Sequence, residues 1–323
     1  MQNLPRRTVL GLALAPAWFS TFAQSEHFPN GTVNIVVPLA PGDAADTSVR
    51  VLAEELAKTL GTSVVVTNRP GAGGALGANA VVRARKDGLT ILFAQNSALT
   101  FRPVIEPQAV SYDAASDLVP LGISSRTPSV LVVRSDAPYR TLADLVEHAK
   151  KEPGRVRLGH PGAGSVGDFC IQLINALTGA QFLAVPYAGA APAVTALRGE
   201  HIEGVVLALG ALSAHIKAGA FLALVASSRV PEMPELWTMR EHGYPEELFG
   251  VWLSFLAPAG IPEQARQALV VAVEQAVKAP AVGARLAPLG ILQSYGTPAQ
   301  QTAEMRDELR RVGELARKTG LVK

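Results

Sequence analysis

The sequence of 323 residues contains almost no cysteine and few charged or aromatic side chains. Cys170 is its only cysteine, which excludes a disulfide within the chain. Charged residues make up 17%, aromatic residues 6% and hydrophobic residues 48%, so a disordered chain is excluded and sizeable cores are expected. Cys170 stands in the apolar pattern DFCIQLINAL, where a buried packing role is expected.

The chain has no excess of either charge that would favour nucleic acid or an anionic membrane as partner. The formal net charge is +2, and Arg6 and Arg7 account for it, because the first 23 residues contain no acid. The remaining surface is therefore balanced in charge. We expect no nucleic acid and no membrane surface as partner.

The first 23 residues have the pattern of a signal peptide. Arg6 and Arg7 form a basic start, an apolar run of 11 residues begins at Val9, and Thr21 and Ala23 supply the small residues before a cleavage site. The run is too short to span a bilayer. Paired arginines are also typical of a twin-arginine (Tat) signal, so Sec and Tat export both remain open. An exported chain without disulfides is expected in the periplasm.

The motifs of nucleotide-binding and metal-binding proteins are missing. The loop through Gly71 and Gly73 nearly reads G-x-G-x-x-G, but Leu76 takes the third position, and no acid follows about 20 residues on. The chain has no Gly-Lys-Ser or Gly-Lys-Thr, and its six His and one Cys lack the spacing of metal ligands. We therefore expect no cofactor and no metal.

A serine hydrolase is the alternative from a different class. Residues 163–167, AGSVG, resemble a nucleophile elbow in which Ala replaces the first Gly, and Ser165 would be the nucleophile. A triad also needs an acid and a His downstream. His201, His215 and His242 fall within predicted helix or strand margins rather than at strand ends. Hydrolysis is therefore the less well supported interpretation.

Short β-branched runs alternate with helical patterns along the chain, which predicts an α/β fold. One series of strands and helices, which includes a strand at Thr90–Gln95, is followed by a second that starts with a strand at Ser129–Arg134. A third group ends in a helix over Pro298–Thr319. We predict mixed or parallel sheets in two lobes joined by a hinge. The predicted domains are a signal peptide at 1–23, lobe 1 at 24–125 plus 250–323, and lobe 2 at 126–249.

Five loops rich in small residues follow the predicted strands at their carboxyl ends. They read VPLAPGDAAD, TNRPGAGG, AQNSALT, HPGAGSVGD and VPYAGAAPA. Ligands of open α/β sheets bind at this edge, and a helix that starts there presents free N–H groups and the positive end of its dipole. Two facing lobes would therefore form an anion-binding cleft.

Five segments in order along the chain together resemble the Bug family of periplasmic solute receptors, the TctC-like receptors of tripartite tricarboxylate transporters. They are VPLAPGDAAD, VVVTNRPGAGGALGANAV, VPYAGAAPAVTAL, AHIKAG and FLAPAGIP. The resemblance extends from about Phe28 to the C-terminus. It implies the type 2 (Venus flytrap) fold of periplasmic binding proteins and a non-enzymatic receptor that captures a small organic acid or related metabolite and delivers it to membrane permease subunits. A receptor whose cleft closes on its ligand is expected to be monomeric. A receptor for a sensor protein is the alternative within the binding class. The resemblance also implies that the loops at Pro41–Asp46 and from Gly164 onward grip a carboxylate through backbone N–H groups and waters.

The predicted ligand-binding residues lie on these strand-end loops. Asn96 and Ser97 join them because they follow a strand and offer both donors and acceptors. The full set is Pro41, Gly42, Asp43, Asp46, Asn96, Ser97, Gly164, Ser165, Asp168, Tyr187, Gly189 and Ala190.

Five positions depart from the family pattern. Asp43 stands where Gly is usual and Asp168 where His is common, Ala188 replaces a Lys, and Leu207–Ala208 replaces an Asp-Asn pair. Added acids would repel a multiply charged tricarboxylate. We predict a ligand with one carboxylate or amide, an apolar body, and an amine that pairs with Asp43 or Asp168. The alternative is that both acids cap helices and face solvent.

Overall fold

The structure is a computed structural model that describes residues 28–42, 44–289 and 291–322. The predicted signal peptide and Asp43 lie outside the described residues. None of the described helices has the length and hydrophobicity that crossing a bilayer requires.

Eleven strands and ten α-helices are present in the described part of the chain. The strands are β1 (Val33–Val37), β2 (Val64–Asn68), β3 (Thr90–Gln95), β4 (Leu118–Thr127), β5 (Ser129–Arg134), β6 (Arg157–His160), β7 (Leu183–Pro186), β8 (Gly204–Ala208), β9 (Phe221–Ala226), β10 (Val251–Pro258) and β11 (Gln293–Gly296). The helices are α1 (Ala44–Leu60), α2 (Ala75–Val82), α3 (Arg102–Ile105), α4 (Leu142–Lys151), α5 (Val166–Thr178), α6 (Ala190–Arg198), α7 (Leu209–Lys217), α8 (Glu263–Lys278), α9 (Pro280–Leu286) and α10 (Pro298–Lys318). A π-helix at Ser97–Phe101 lies directly before α3.

Two mixed sheets form the two lobes. The first has the strand order β11-β4-β10-β3-β1-β2 and the second the order β7-β6-β8-β5-β9. In the first sheet β1 pairs in parallel with β2 and β3, and β10 runs antiparallel to β3 and β4. The chain crosses from the first sheet to the second at Pro128 and returns between β9 and β10.

Local sequence explains where most elements begin and end. Thr141 caps α4 in a reciprocal capping box with Asp144, and Thr297 caps α10 in the same way with Gln300. Strand β1 is a β-branched run with neither face exposed, and its Val33 is fully buried. These signals lie within one helical turn or one strand, so they can be recognised in the sequence.

The sequence pattern does not predict β4 and β11. In β4 the pairing with β10 shifts register next to Pro120 and Gly122, and this bulge breaks the alternation that marks a strand. Strand β11 has only four residues and pairs irregularly with β4. Both strands are stabilised by neighbours that are distant in sequence.

An aromatic cluster connects the lobes beside the chain crossings. Phe101, at the end of the π-helix, packs against Phe169 of α5 and against Phe249, with ring centroids 5.4 and 5.2 Å apart. The cluster continues into the core of lobe 2, which also receives Val312 near the end of α10. Cys170 is fully buried in this core, as predicted, and burial raises the pKa of its thiol to about 12.

Candidate functional site: a cavity between the lobes

A cavity of about 530 Å³ lies between the two sheets. Its lining comes from the loops after β1, β2 and β3 in lobe 1 and after β6, β7 and β8 in lobe 2. These are carboxyl ends of strands, where open α/β sheets bind ligands. The volume is that of a pocket for a small metabolite.

Four helices begin at this cavity. The first residues of α5, Val166 and Gly167, line it, as do Ala190 at the start of α6, Gly210 in the first turn of α7 and Ala45 in the first turn of α1. First-turn N–H groups have no acceptor within their own helix, and each helix start carries a partial positive charge. The cavity is therefore suited to an anionic group.

The loop before α5 is held together by Ser165 and Asp168. The Ser165 hydroxyl accepts a hydrogen bond from the backbone N–H of Asp168 at 3.2 Å, and the Asp168 carboxylate accepts one from the N–H of Gly164 at 2.9 Å. Gly164 has φ 71°, a left-handed conformation that favours glycine. The Asp168 carboxylate also lies 3.8 Å from Nε2 of His160.

The loop before α1 repeats this arrangement. The Asp46 carboxylate accepts from the N–H of Gly42, again four residues earlier, at 2.9 Å. It also accepts from Arg50 at 2.9 Å and from the Asn68 side-chain amide at 2.8 Å, and Asp46 is only 3% exposed. Burial raises the pKa of the Asp46 carboxyl, but hydrogen bonds from Arg50, Gly42 and Asn68 outweigh burial and lower it. Both acids thus organise loop backbone next to the cavity.

Arg102 joins the two lobes by a polar contact at the edge of the cavity. Its guanidinium donates to the carbonyl oxygen of Ala163 in lobe 2 at 2.5 Å and pairs with Glu106 at 2.8 Å. The side chain packs between Gly73 and Gly164, where an added Cβ would lie 2.6 and 2.8 Å from its Nη1 atom. Arg102 is the only charged residue among the described residues that line the cavity.

The rest of the lining is neutral. Polar side chains come from Gln95 at the end of β3, from Ser97 just after it, and from Ser125, Thr127 and Ser129 at the crossing between the lobes. Apolar side chains from both lobes complete the lining. They are Leu39, Val166, Val206, Leu207, Val251, Leu253 and Ile291.

A model of the tripartite tricarboxylate transporter receptor family (TctC) matches residues 48–321. The chain belongs to this family. Protein BugT of Bordetella pertussis is 31% identical over 97% of this chain and 96% of its own length. The solved structure of the periplasmic binding protein BugD is similar, with TM-score 0.81, 30% identity, and coverage of 91% of this chain and 99% of BugD. MatC from Rhodopseudomonas palustris, solved with bound malate, has TM-score 0.80, 29% identity, and coverage of 89% and 99%.

Family membership confirms the predicted Bug/TctC resemblance and the two-lobed binding-protein fold. The protein is a solute receptor of a tripartite tricarboxylate transporter and not an enzyme. The geometry around Ser165 agrees with this, because its hydroxyl caps α5. Both ring nitrogens of the nearby His160 have other neighbours than the Ser165 hydroxyl. Nδ1 lies 2.9 Å from the Gly162 carbonyl oxygen, and Nε2 lies 3.8 Å from the Asp168 carboxylate. Within the described residues no cluster of three His, Cys, Asp or Glu could hold a metal ion.

The structure places the predicted site residues of the receptor in three groups. Ser97, Ser165, Gly189 and Ala190 line the cavity. Six others are on the same loops but outside the lining, namely Pro41, Gly42, Asp46, Gly164, Asp168 and Tyr187. Asn96 is fully buried, and its side-chain amide donates to Glu308 and to the carbonyl oxygen of Gly250. Asp43 lies outside the described residues, and ligand contact by the whole set stays a prediction.

Sequence reasoning missed Arg102 and the hydroxyl residues of the lobe crossing. Arg102 is the first cation after β3, which is a weak signal for a strand-end site. Ser125, Thr127 and Ser129 recur at every second position, the spacing of one strand face, but Pro128 hides that pattern. Leu207 and Ala208, where the family pattern has polar residues, do line the cavity.

Proposed function

We propose that this receptor captures a small organic acid with a single carboxylate and an apolar body, and delivers it to the permease subunits of a tripartite transporter. The observation that carries the proposal is the convergence of four helix N-termini on one cavity with a largely neutral lining. The carboxylate binds at the first turn of α5, and the body lies against the apolar side chains of the lining. MatC with its bound malate supports an acid as ligand class.

The proposed ligand contacts are Ser97, Ser165, Gly189 and Ala190, with the N–H groups at the start of α5. Asp46 and Asp168 act indirectly, since their carboxylates hold the loop backbone at Gly42 and Gly164. The predicted pairing of an amine with Asp168 is not part of this proposal, because that carboxylate is occupied by the loop.

We further propose that the receptor is monomeric and is exported through the signal at 1–23 by the Sec or the Tat route. Its lobes are residues 24–125 plus 250–323 and residues 126–249. The two chain crossings, at Pro128 and between β9 and β10, support a division close to these limits, with Arg126 and Thr127 still in β4 of the first sheet.

The first experiment is a thermal-shift screen of the mature protein, from residue 24, against mono-, di- and tricarboxylates, amides and amines. A ligand at 100 times its dissociation constant stabilises the folded state by about 2.7 kcal/mol, which is a clear rise in melting temperature. We expect shifts with monocarboxylates and none with citrate. A shift with amines or neutral compounds alone would contradict the proposal.

A proline substitution tests the backbone contact directly. Val166 is the first residue of α5, where proline fits the helix but has no N–H, and Ser165 before it has the extended backbone that proline requires. We expect Val166→Pro to weaken carboxylate binding by about tenfold or more, as for the loss of a hydrogen bond to a charged group. Val166→Ala keeps the N–H and is the matched control. Equal affinities in the two variants would contradict binding at α5.

A further inference from the structure

The floor of the cavity is a row of hydroxyl side chains at the point where the chain passes from lobe 1 to lobe 2. Ser125 and Thr127 end β4, and Ser129 begins β5. Because the three positions are two residues apart in extended chain, they share one face. All three line the cavity.

Strand pairing defines what surrounds this row. Ser125 is paired with Leu253 and Thr127 with Val251 across β10, and Ser129 is paired with Ala208 across β8. These three apolar partners also line the cavity. Toward β10 and β8 the hydroxyl row is therefore bordered by apolar side chains, with the neutral amide of Gln95 on the far side of Leu253.

The hydroxyl of Ser129 is not used by the fold. Ser129 is 1% exposed, and its Oγ atom has no hydrogen-bond partner within the described residues. Ser124, on the opposite face of β4, donates to the carbonyl oxygen of Leu253 at 3.1 Å. Buried polar atoms without partners are rare because their desolvation is not compensated. An unpaired, almost fully buried hydroxyl at the cavity floor points to a polar group that binds there.

We infer that this row is a second subsite, which selects acids that carry a neutral hydrogen-bonding group, such as a hydroxyl, carbonyl or amide, away from the carboxylate. The inference rests on the proposed function, in which α5 holds the carboxylate. Hydroxyl and amide side chains both donate and accept, so they match a neutral polar group. A second carboxylate would be desolvated against Val251 and Leu253, and Arg102 is already paired with Glu106.

The test is calorimetric titration of the mature protein with matched acids of four, five and six carbons. Each length is measured as the plain acid, as the acid with a terminal hydroxyl and as the dicarboxylate; the six-carbon set is hexanoate, 6-hydroxyhexanoate and adipate. For the length that fits, we expect the hydroxy acid to bind about tenfold tighter than the plain acid, the value of a good hydrogen bond. It should also bind more tightly than the dicarboxylate.

Substitutions assign the preference to the floor. Thr127→Val keeps the shape of the side chain and should reduce the preference for the hydroxy acid, with little change for the plain acid. Ser129→Ala removes an unpaired hydroxyl without leaving a new one, so it should fold and show the same reduction. Ser124→Ala is the matched control from the opposite face and should retain the preference.

The outcomes separate this inference from the proposed function. Plain acids or dicarboxylates that bind as tightly as the hydroxy acids would overturn the floor subsite and leave the proposed acid receptor intact. A preference for the hydroxy acid that is unchanged in both Thr127→Val and Ser129→Ala would also overturn the floor subsite and leave the proposed acid receptor intact. Failure of every acid to bind, in a protein that melts cooperatively, would overturn the proposed function itself.

Discussion

At the scale of single residues, Arg102 has the most consequential contacts around the cavity. It belongs to lobe 1, but its guanidinium donates to Ala163 of lobe 2. The sequence shows only a cation that follows a strand end. Its acceptor is 61 residues away in the other lobe, so the contact could not be predicted from local pattern.

We expect Arg102→Met to weaken ligand binding by about tenfold or more, since it leaves the Ala163 carbonyl and the Glu106 carboxylate without their donor. Arg102→Lys should recover little of the lost affinity, because an ammonium group lacks the several N–H donors that the planar guanidinium directs at Ala163 and Glu106. Titration calorimetry with the best acid from the screen measures both. Arg285→Met is the matched control, because Arg285 makes an exposed ion pair with Glu54 and neither residue lines the cavity. Equal affinity of Arg102→Met and Arg285→Met would contradict a role for Arg102 in binding.

Asp46 gives a prediction on acid stability. Its folded-state pKa is lowered, so the stabilisation is complete above the unfolded-state pKa near 4 and is lost as the pH falls through the folded-state value. At pH 7 we expect Asp46→Asn to reduce the free energy of unfolding by about 2 kcal/mol, as for hydrogen bonds to a charged group. The difference between variant and parent should shrink below about pH 4. Urea unfolding at pH 3 to 7 measures this, and the exposed Asp136→Asn should show little change.

At the scale of elements, the π-helix at Ser97–Phe101 is the part that sequence reasoning described least well. The segment reads as a loop after β3, but all five of its residues are buried. Thr100 donates to the Glu308 carboxylate of α10 at 2.5 Å, and Asn96, just before the π-helix, donates to it at 2.9 Å. These partners are more than 200 residues apart in sequence. Helices with their own caps can be predicted, whereas this one depends on a distant carboxylate.

Glu308 makes this element sensitive to pH. Burial raises the pKa of its carboxyl to about 7, although the hydrogen bonds from Thr100 and Asn96 act in the opposite direction. The folded state therefore holds a proton that the unfolded chain releases near pH 4, so this group lowers stability as the pH rises to about 7. The loss over that range is about 3 kcal/mol for a shift of this size. Above pH 7 the contribution is constant.

We expect Glu308→Gln to remove this slope of the free energy of unfolding against pH, because the amide does not titrate. The measurement is the free energy of unfolding in urea at pH 5 to 8, where the parent should lose stability and the variant should not. Glu314→Gln, on the exposed side of the same helix and paired with Arg310, is the control and should keep the slope. A slope that persists in Glu308→Gln would assign it to another group.

At the scale of the whole molecule, the order of strands and helices could be predicted, but the joining of the lobes could not. β3 and β5 run over Thr90–Gln95 and Ser129–Arg134 as predicted, because each is a buried apolar run with turn residues at its ends. The cavity requires particular residues of the two lobes to meet. Those pairs, such as Arg102 with Ala163, have no local signal in the sequence.

The aromatic cluster is expected to make the two lobes unfold together. Phe101 and Phe169 belong to different lobes, and both contact Phe249, where the chain returns to lobe 1. Because Phe101 is fully buried, Phe101→Ala should cost about 3–5 kcal/mol of unfolding free energy. The lost contacts lie between the lobes, so the urea transition should broaden or divide. It is followed by the far-ultraviolet circular dichroism signal and by tryptophan fluorescence, which includes Trp237 of lobe 2 and Trp252 of lobe 1.

Phe93→Ala is the matched control: Phe93 is equally buried, but it packs on Phe255 within lobe 1 at 4.6 Å. We expect this control to lose similar stability with coincident transitions. Coincident transitions in Phe101→Ala as well would show that the lobes are coupled through the chain crossings and not through the aromatic cluster.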